Sequence, residues 1–176
     1  MTLGPGARKL LLTVHIAVSV AWIGAVAAYL ALDLVATTGD DPATLRAAYV
    51  SMALIARRVI VPLAAAALLT GIVVALGGRW GLFRHYWVIV SLVATIAATA
   101  VLLIELATID RLAEIASDPA TSADDLRSLG GTLVHSVGGS AVLVGVLALN
   151  IYKPRGLTRY GWRREHAQRR TTARSR

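Results

Sequence analysis

Cysteine is absent from the 176 residues, which excludes disulfides, iron–sulfur clusters and thiolate metal sites. Methionine occurs twice, once at position 1, too seldom to line a path for Cu(I). Charged residues make up only 16% of the chain, against about a quarter in soluble domains. There is no internal repeat and no separate soluble domain, and the length suits one compact unit. What is present instead is apolar. Such residues make up 56% of the chain, and they are gathered into long runs.

The first run, Leu10–Leu32, covers 23 residues with only Thr13, His15 and Ser19 as polar interruptions. At the α-helical rise it is about 34 Å long, enough to cross a bilayer. Its apolar stretch is too long for the core of a cleaved signal peptide. Val59–Leu76, Tyr86–Glu105 and Gly131–Tyr152 are three further spans. The expected fold is all-α: a four-transmembrane-helix bundle over residues 1–152, followed by a basic tail over 153–176. Lys and Arg set the orientation. Arg8, Lys9, Arg79, Arg84 and nine bases from Lys153 onward give thirteen on one side; Arg46, Arg57, Arg58, Arg111 and Arg127 give five on the other. The side with thirteen is read as cytoplasmic, so both termini lie inside, and nine of the ten acidic residues fall outside.

Capping signals extend the helices on the outer side. Asp41-Pro42 reads as an N-cap with proline at the first helical position, making Ala43–Arg58 an outward extension of the second span. Ser122-Ala123-Asp124-Asp125 resembles a capping box and is expected to start the fourth helix well before the membrane. Leu106, Ile109, Leu112 and Ala116 carry the apolar stripe of the third helix outward. Pro62 is expected to kink the second helix, and Gly77–His85 to form a tight hairpin. Beyond a turn at Pro154 the tail reads as disordered.

Polar residues within a span are costly and usually face the bundle interior. His15, Ser19, Trp22, Tyr29 and Asp33 recur at helical spacing on the first helix. Trp87, Ser91, Thr95 and Ala98 lead toward Glu105 on the third, and His135, Gly138, Gly139, Val142 and Gly145 form a stripe on the fourth. These three faces are expected to converge. Ser, Thr and Gly serve mainly to let helices approach and hydrogen-bond. The spacing of Ser136 with Ser140, and of Gly24 with Ala28, permits packing within one chain or between copies.

His15 and His135 are the candidate cofactor ligands, for haem or for a metal, because neutral imidazole offers a nitrogen lone pair. His15 lies about 8 Å into its span, and His135 about 25 Å above the same boundary. Ligands of one metal have nitrogens about 4 Å apart, so these two do not share one. His85, beside Arg84, reads as a headgroup contact. At the outer boundary Asp33, Glu105, Arg57, Arg58 and His135 fall near one level. The arginines either clamp the two acids, or snorkel to headgroups, or hold an anionic group such as a haem propionate above His135. In the tail, Tyr152, Tyr160 and Trp162 sit beside the membrane among the bases. That pattern points to anionic lipid headgroups and not to nucleic acid.

The first helix, His15-Ile16-Ala17-Val18-Ser19-Val20-Ala21-Trp22-Ile23-Gly24, resembles the opening of bacterial copper-resistance-D-like membrane proteins. The segment Trp80-Gly81-Leu82-Phe83-Arg84-His85-Tyr86-Trp87 resembles the start of the third helix in a related uncharacterised bacterial integral membrane family. A weaker likeness links the first helix to membrane-bound protoporphyrinogen oxidase, which implies haem b at His15. Here Ala31-Leu32-Asp33 replaces that family's basic and aromatic signature. The resemblance implies a multi-pass protein of a bacterial cytoplasmic membrane without independent catalysis. Such a protein would bind haem or a metal, or assist a redox or metal-handling partner, through His15. A scaffold or accessory subunit with packed histidines, joined to a membrane partner or a second copy, is the alternative, and a protoporphyrinogen-oxidase-like enzyme the third.

Overall fold

The computed structural model describes residues 4–77, 81–154, 156–164 and 166. Helix α1 runs Pro5–Thr38, α2 Pro42–Gly77, α3 Tyr86–Ser117, the short α4 Ala123–Ser128 and α5 Leu133–Tyr152. α1, α2, α3 and α5 are long and apolar enough to cross a membrane, and they pack as a bundle. Only 11% to 17% of each apolar window is buried within the chain. Most of that surface faces outward, which suits lipid and not water. The chain is a multi-pass membrane protein.

Burial is densest at one end. Leu45, Tyr49, Met52 and Leu126 are almost fully enclosed there, with Ala36 and Ala116 beside them. Burying a side chain of the size of Leu or Met away from water stabilises by about 1.5–3 kcal/mol. Between the spans that force is missing, because lipid is as apolar as leucine, and small residues such as Ala64 and Ala67 pack instead. The extension expected over Ala43–Arg58 is thus a packed half of α2, and α3 continues to Ser117 with Ile109 and Ala116 buried.

Asp41 caps α2, accepting from the Thr44 amide at 2.9 Å and from its hydroxyl at 2.6 Å. The Thr44 hydroxyl, then its amide, hold the Asp41 carboxyl below the usual aspartate value. Farther along α2 the helix widens into a π turn over Ala56–Ile60, where the Val61 amide donates to the Ala56 carbonyl. Pro62 supplies the reason. Its ring would clash with the carbonyl four residues back in a continued α-helix, and a wider turn relieves that clash.

Ser122 accepts from the Asp125 amide at 3.2 Å, as a capping residue should. The helix it starts is a separate six-residue α4 and not the beginning of the fourth span. Gly130, at φ +70°, breaks the chain there and lets α5 begin afresh at Leu133. The turn between α2 and α3 is described only from Gly81, so part of the expected hairpin lies outside the described residues. So do residues 167–176 of the tail, and the disorder expected there. Farther back in the tail, Gly156, Leu157 and Thr158 are held against residues 83–86 at the start of α3.

A polar layer at the end of the bundle and a histidine in the span

Asp33 is fully buried on α1. Its carboxylate accepts from the Thr132 amide at 2.9 Å, the Thr132 hydroxyl at 3.0 Å and the Ser136 hydroxyl at 2.7 Å. Thr132 precedes α5 and makes no side-chain cap of its own, so the side chain from α1 caps α5 across the bundle. The amide groups and dipole at that helix end favour a negative charge and so stabilise the buried acid. Because the Thr132 hydroxyl donates to Asp33, it accepts from the Tyr29 phenol, 2.8 Å away. Gly131 is needed for the fit, since a Cβ there would meet the Thr37 hydroxyl and lie 2.7 Å from Asp33 Oδ1. Tyr49 closes the layer by donating to the Gly130 carbonyl at 2.7 Å.

The clamp expected at this level has different partners. Arg57 pairs with Asp110, at the rim, with side chains 57% and 36% exposed. Glu105 faces His135, Nε2 to Oε1 3.6 Å. Arg58 is exposed, and among the described residues neither arginine forms an ion pair with Asp33 or Glu105. Desolvation explains the difference. A guanidinium brought beside buried Asp33 would lose its water, whereas at the rim its long stem reaches an acid that is still hydrated.

The third face is also turned around. His135 is half exposed, and open space lies beside the Cα of Gly138, Gly139 and Gly145. The side of α5 that enters the bundle carries Thr132, Ser136 and Leu143, with Asn150 donating to Ser91 Oγ at 3.1 Å. The α1 stripe does face inward, with Trp22, Tyr29 and Asp33 buried. Among the described residues, the Trp22 indole nitrogen is buried without a hydrogen-bond partner.

His15 lies toward the other end, half buried against α2. Its Nδ1 is 2.9 Å from Thr70 Oγ1, and a Cβ on Gly71 would come within 3.0 Å of the ring. The Thr70 hydroxyl is engaged with the Ala66 carbonyl at 2.7 Å, which favours the tautomer in which its oxygen accepts from His15 Nδ1–H. That assignment leaves Nε2 with the lone pair. Thr70 and Gly71 were not singled out by sequence reasoning. The one available signal was a lone hydroxyl beside a glycine in an otherwise apolar run. Among the described residues no three His, Asp or Glu side chains converge as a metal cage.

Arg46 joins the remaining loops of this polar end. Its guanidinium donates to the Ala116, Asp118 and Thr121 carbonyls at 2.5–2.7 Å and so closes the C-terminus of α3. Comparison with protein-family models, curated proteins and solved structures gives no match. By helix length and hydropathy, the molecule is a small multi-pass membrane protein built as a helical bundle.

Proposed function

We propose that the protein lies in a bacterial cytoplasmic membrane with both termini inside and binds haem b through His15, serving a redox or metal-handling partner. The observation that carries this reading is the bond from His15 Nδ1 to Thr70. Ligating histidines characteristically donate their other ring N–H to a fixed acceptor, which sets the tautomer and raises the basicity of the free nitrogen. Among the described residues the donors offer no closed cage for a metal ion, whereas one imidazole, that of His15, would suffice to hold a haem. Bound haem would supply one-electron chemistry. The chain's own part is to orient the ring through Thr70 and to keep it within the apolar span.

Arg57 and Arg58 stand about 18–20 Å along α2 from Thr70, too far to serve a group held on His15. A propionate contact from them belongs with His135, which Glu105 already engages. The second reading, an accessory subunit, is favoured by the outward-facing glycines Gly24, Gly138 and Gly145, which offer close approach to a helix of another protein or copy.

An absorption spectrum of the detergent-purified protein, before and after haem addition, tests the two. A Soret band is expected, lost in His15→Ala, shifted in Thr70→Val and unchanged in His85→Ala. A band unchanged in His15→Ala removes this ligand, and a band lost only in His135→Ala moves the site to the other end. A protein that takes up no haem leaves the accessory reading.

A further inference from the structure

The chain after α5 does not trail away from the bundle. Lys153, at φ 44°, ends α5 in a left-handed turn and sends the chain across the end of the bundle. There the Tyr86 amide donates to the Gly156 carbonyl at 3.3 Å, and the Thr158 amide to the Arg84 carbonyl at 3.0 Å. His85 and Leu157 form an antiparallel bridge. Thr158 is buried; its hydroxyl donates to the Phe83 carbonyl and accepts from the Gly161 amide at 3.0 Å, which caps the helical turn over 159–164. Gly161 lies directly on the Arg84 backbone, where any Cβ would collide with the Arg84 carbonyl oxygen.

This clasp presents a particular surface. Arg159, Arg163 and Arg164 are exposed, with Arg159 and Arg163 one helical turn apart. Between them stand two half-exposed rings, Tyr160 at 50% and Trp162 at 57%, and the Arg164 guanidinium lies 5.5 Å from the Tyr160 ring centre. Phe83, on the turn that holds the clasp, is 57% exposed. Arg8, Lys9, Arg84 and Lys153 share this end of the bundle, and among the described residues no acidic side chain does. The place is fixed in depth, because Tyr86 and Tyr152 end two spans beside it.

We propose that the clasp is a docking site for the phosphate of anionic phospholipid headgroups. Arg159, Arg163 and Arg164 supply charge-assisted hydrogen bonds, and Tyr160, Trp162 and Phe83 sit among the glycerol and upper acyl groups. Charge complementarity argues for this occupant, since the cytoplasmic leaflet, beside which the orientation proposed above sets this end, is anionic. Order argues for it as well. A free polybasic tail must lose conformational freedom on binding, while this one is already held by two backbone hydrogen bonds, the Thr158 hydroxyl and a capped turn. The inference is independent of His15.

The full-length protein in neutral detergent is to be titrated with phosphatidylglycerol, phosphatidylcholine or inorganic phosphate, and lipid retention read by native mass spectrometry. Phosphatidylglycerol is expected to be retained and phosphatidylcholine not, with inorganic phosphate a weak competitor. Combined Arg159→Gln, Arg163→Gln and Arg164→Gln should weaken retention about a hundred-fold, roughly five-fold for each base near the headgroups. These side chains are exposed, so the thermal midpoint of the bundle should not move. Gly161→Leu keeps every arginine but opens the clasp, and it should weaken retention by at least about ten-fold if pre-ordering contributes as argued. Equal retention of both lipids overturns the proposal. So does undiminished retention in the triple variant, or in Gly161→Leu, which would leave charge without a built site.

Discussion

Among the described residues Asp33 has no ion-pair partner, and three donors from one helix end take its place. Its partners were hidden from sequence reasoning for a physical reason. Counting charged side chains suggests an arginine for every buried acid, but one of these three donors is a backbone amide, which every residue except proline carries. The face that Asp33 occupies was legible, because His15, Trp22, Tyr29 and Asp33 recur at helical spacing among apolar neighbours. Asp33→Asn keeps the shape but points an amide N–H₂ at existing donors. A loss of about 1.5–3 kcal/mol is expected, the range for hydrogen bonds to a charged group, measured by thermal unfolding in detergent. Ser136→Ala removes one donor and should cost less. Equal stability of wild type and Asp33→Asn would show that the layer does not depend on the charge.

Between elements, the ion pair at the rim is worth little and the carbonyl contacts of Arg46 tie more together. Arg57 and Asp110 are both substantially exposed, so their double-mutant cycle should give a coupling of about 0–1 kcal/mol. The cycle pairing Arg58→Gln with Glu105→Gln should be additive, since those residues have no ion pair with each other. A coupling of several kcal/mol in the second cycle would restore the clamp expected from their common level. The spans themselves were legible from length and hydropathy, and the extension of α2 from its Asp41-Pro42 cap. The direction faced by α5 was not. In lipid both sides of a helix are apolar, so periodicity separates interior from exterior poorly, and a glycine stripe fits either side. Here Ser136 and Leu143 turn inward and Gly138 and Gly145 outward.

Across the whole molecule the acids gather at one end, with Asp33, Glu105, Asp110 and Asp125, where five arginines join them, and the larger share of bases lies at the other, with Lys153, Arg159, Arg163 and Arg164. That sorting predicts orientation. The chain contains no cysteine, so single cysteines need no background removed. Cysteine at Thr38 or Ala120 should react with a membrane-impermeant reagent on intact cells, and cysteine at Ser175 only after lysis. Labelling of the Ser175 variant on intact cells would invert the topology. The π turn over Ala56–Ile60 bears on the same architecture in another way. A widened turn accommodates one surplus residue while leaving the helix on either side in phase. Buried positions therefore continue from Met52 and Ala56 through Ile60 to Ala64 without changing face. The surplus residue is a tolerance for length. Removing Val59 should let the turn tighten and leave both halves of α2 against their neighbours, at the cost of strain at Pro62. Removing Ala98 from the regular part of α3 would rotate everything beyond it by about 100° and carry Ile109 and Ala116 out of the packed end. Yield of folded protein in detergent, compared for the two deletions, should favour the first.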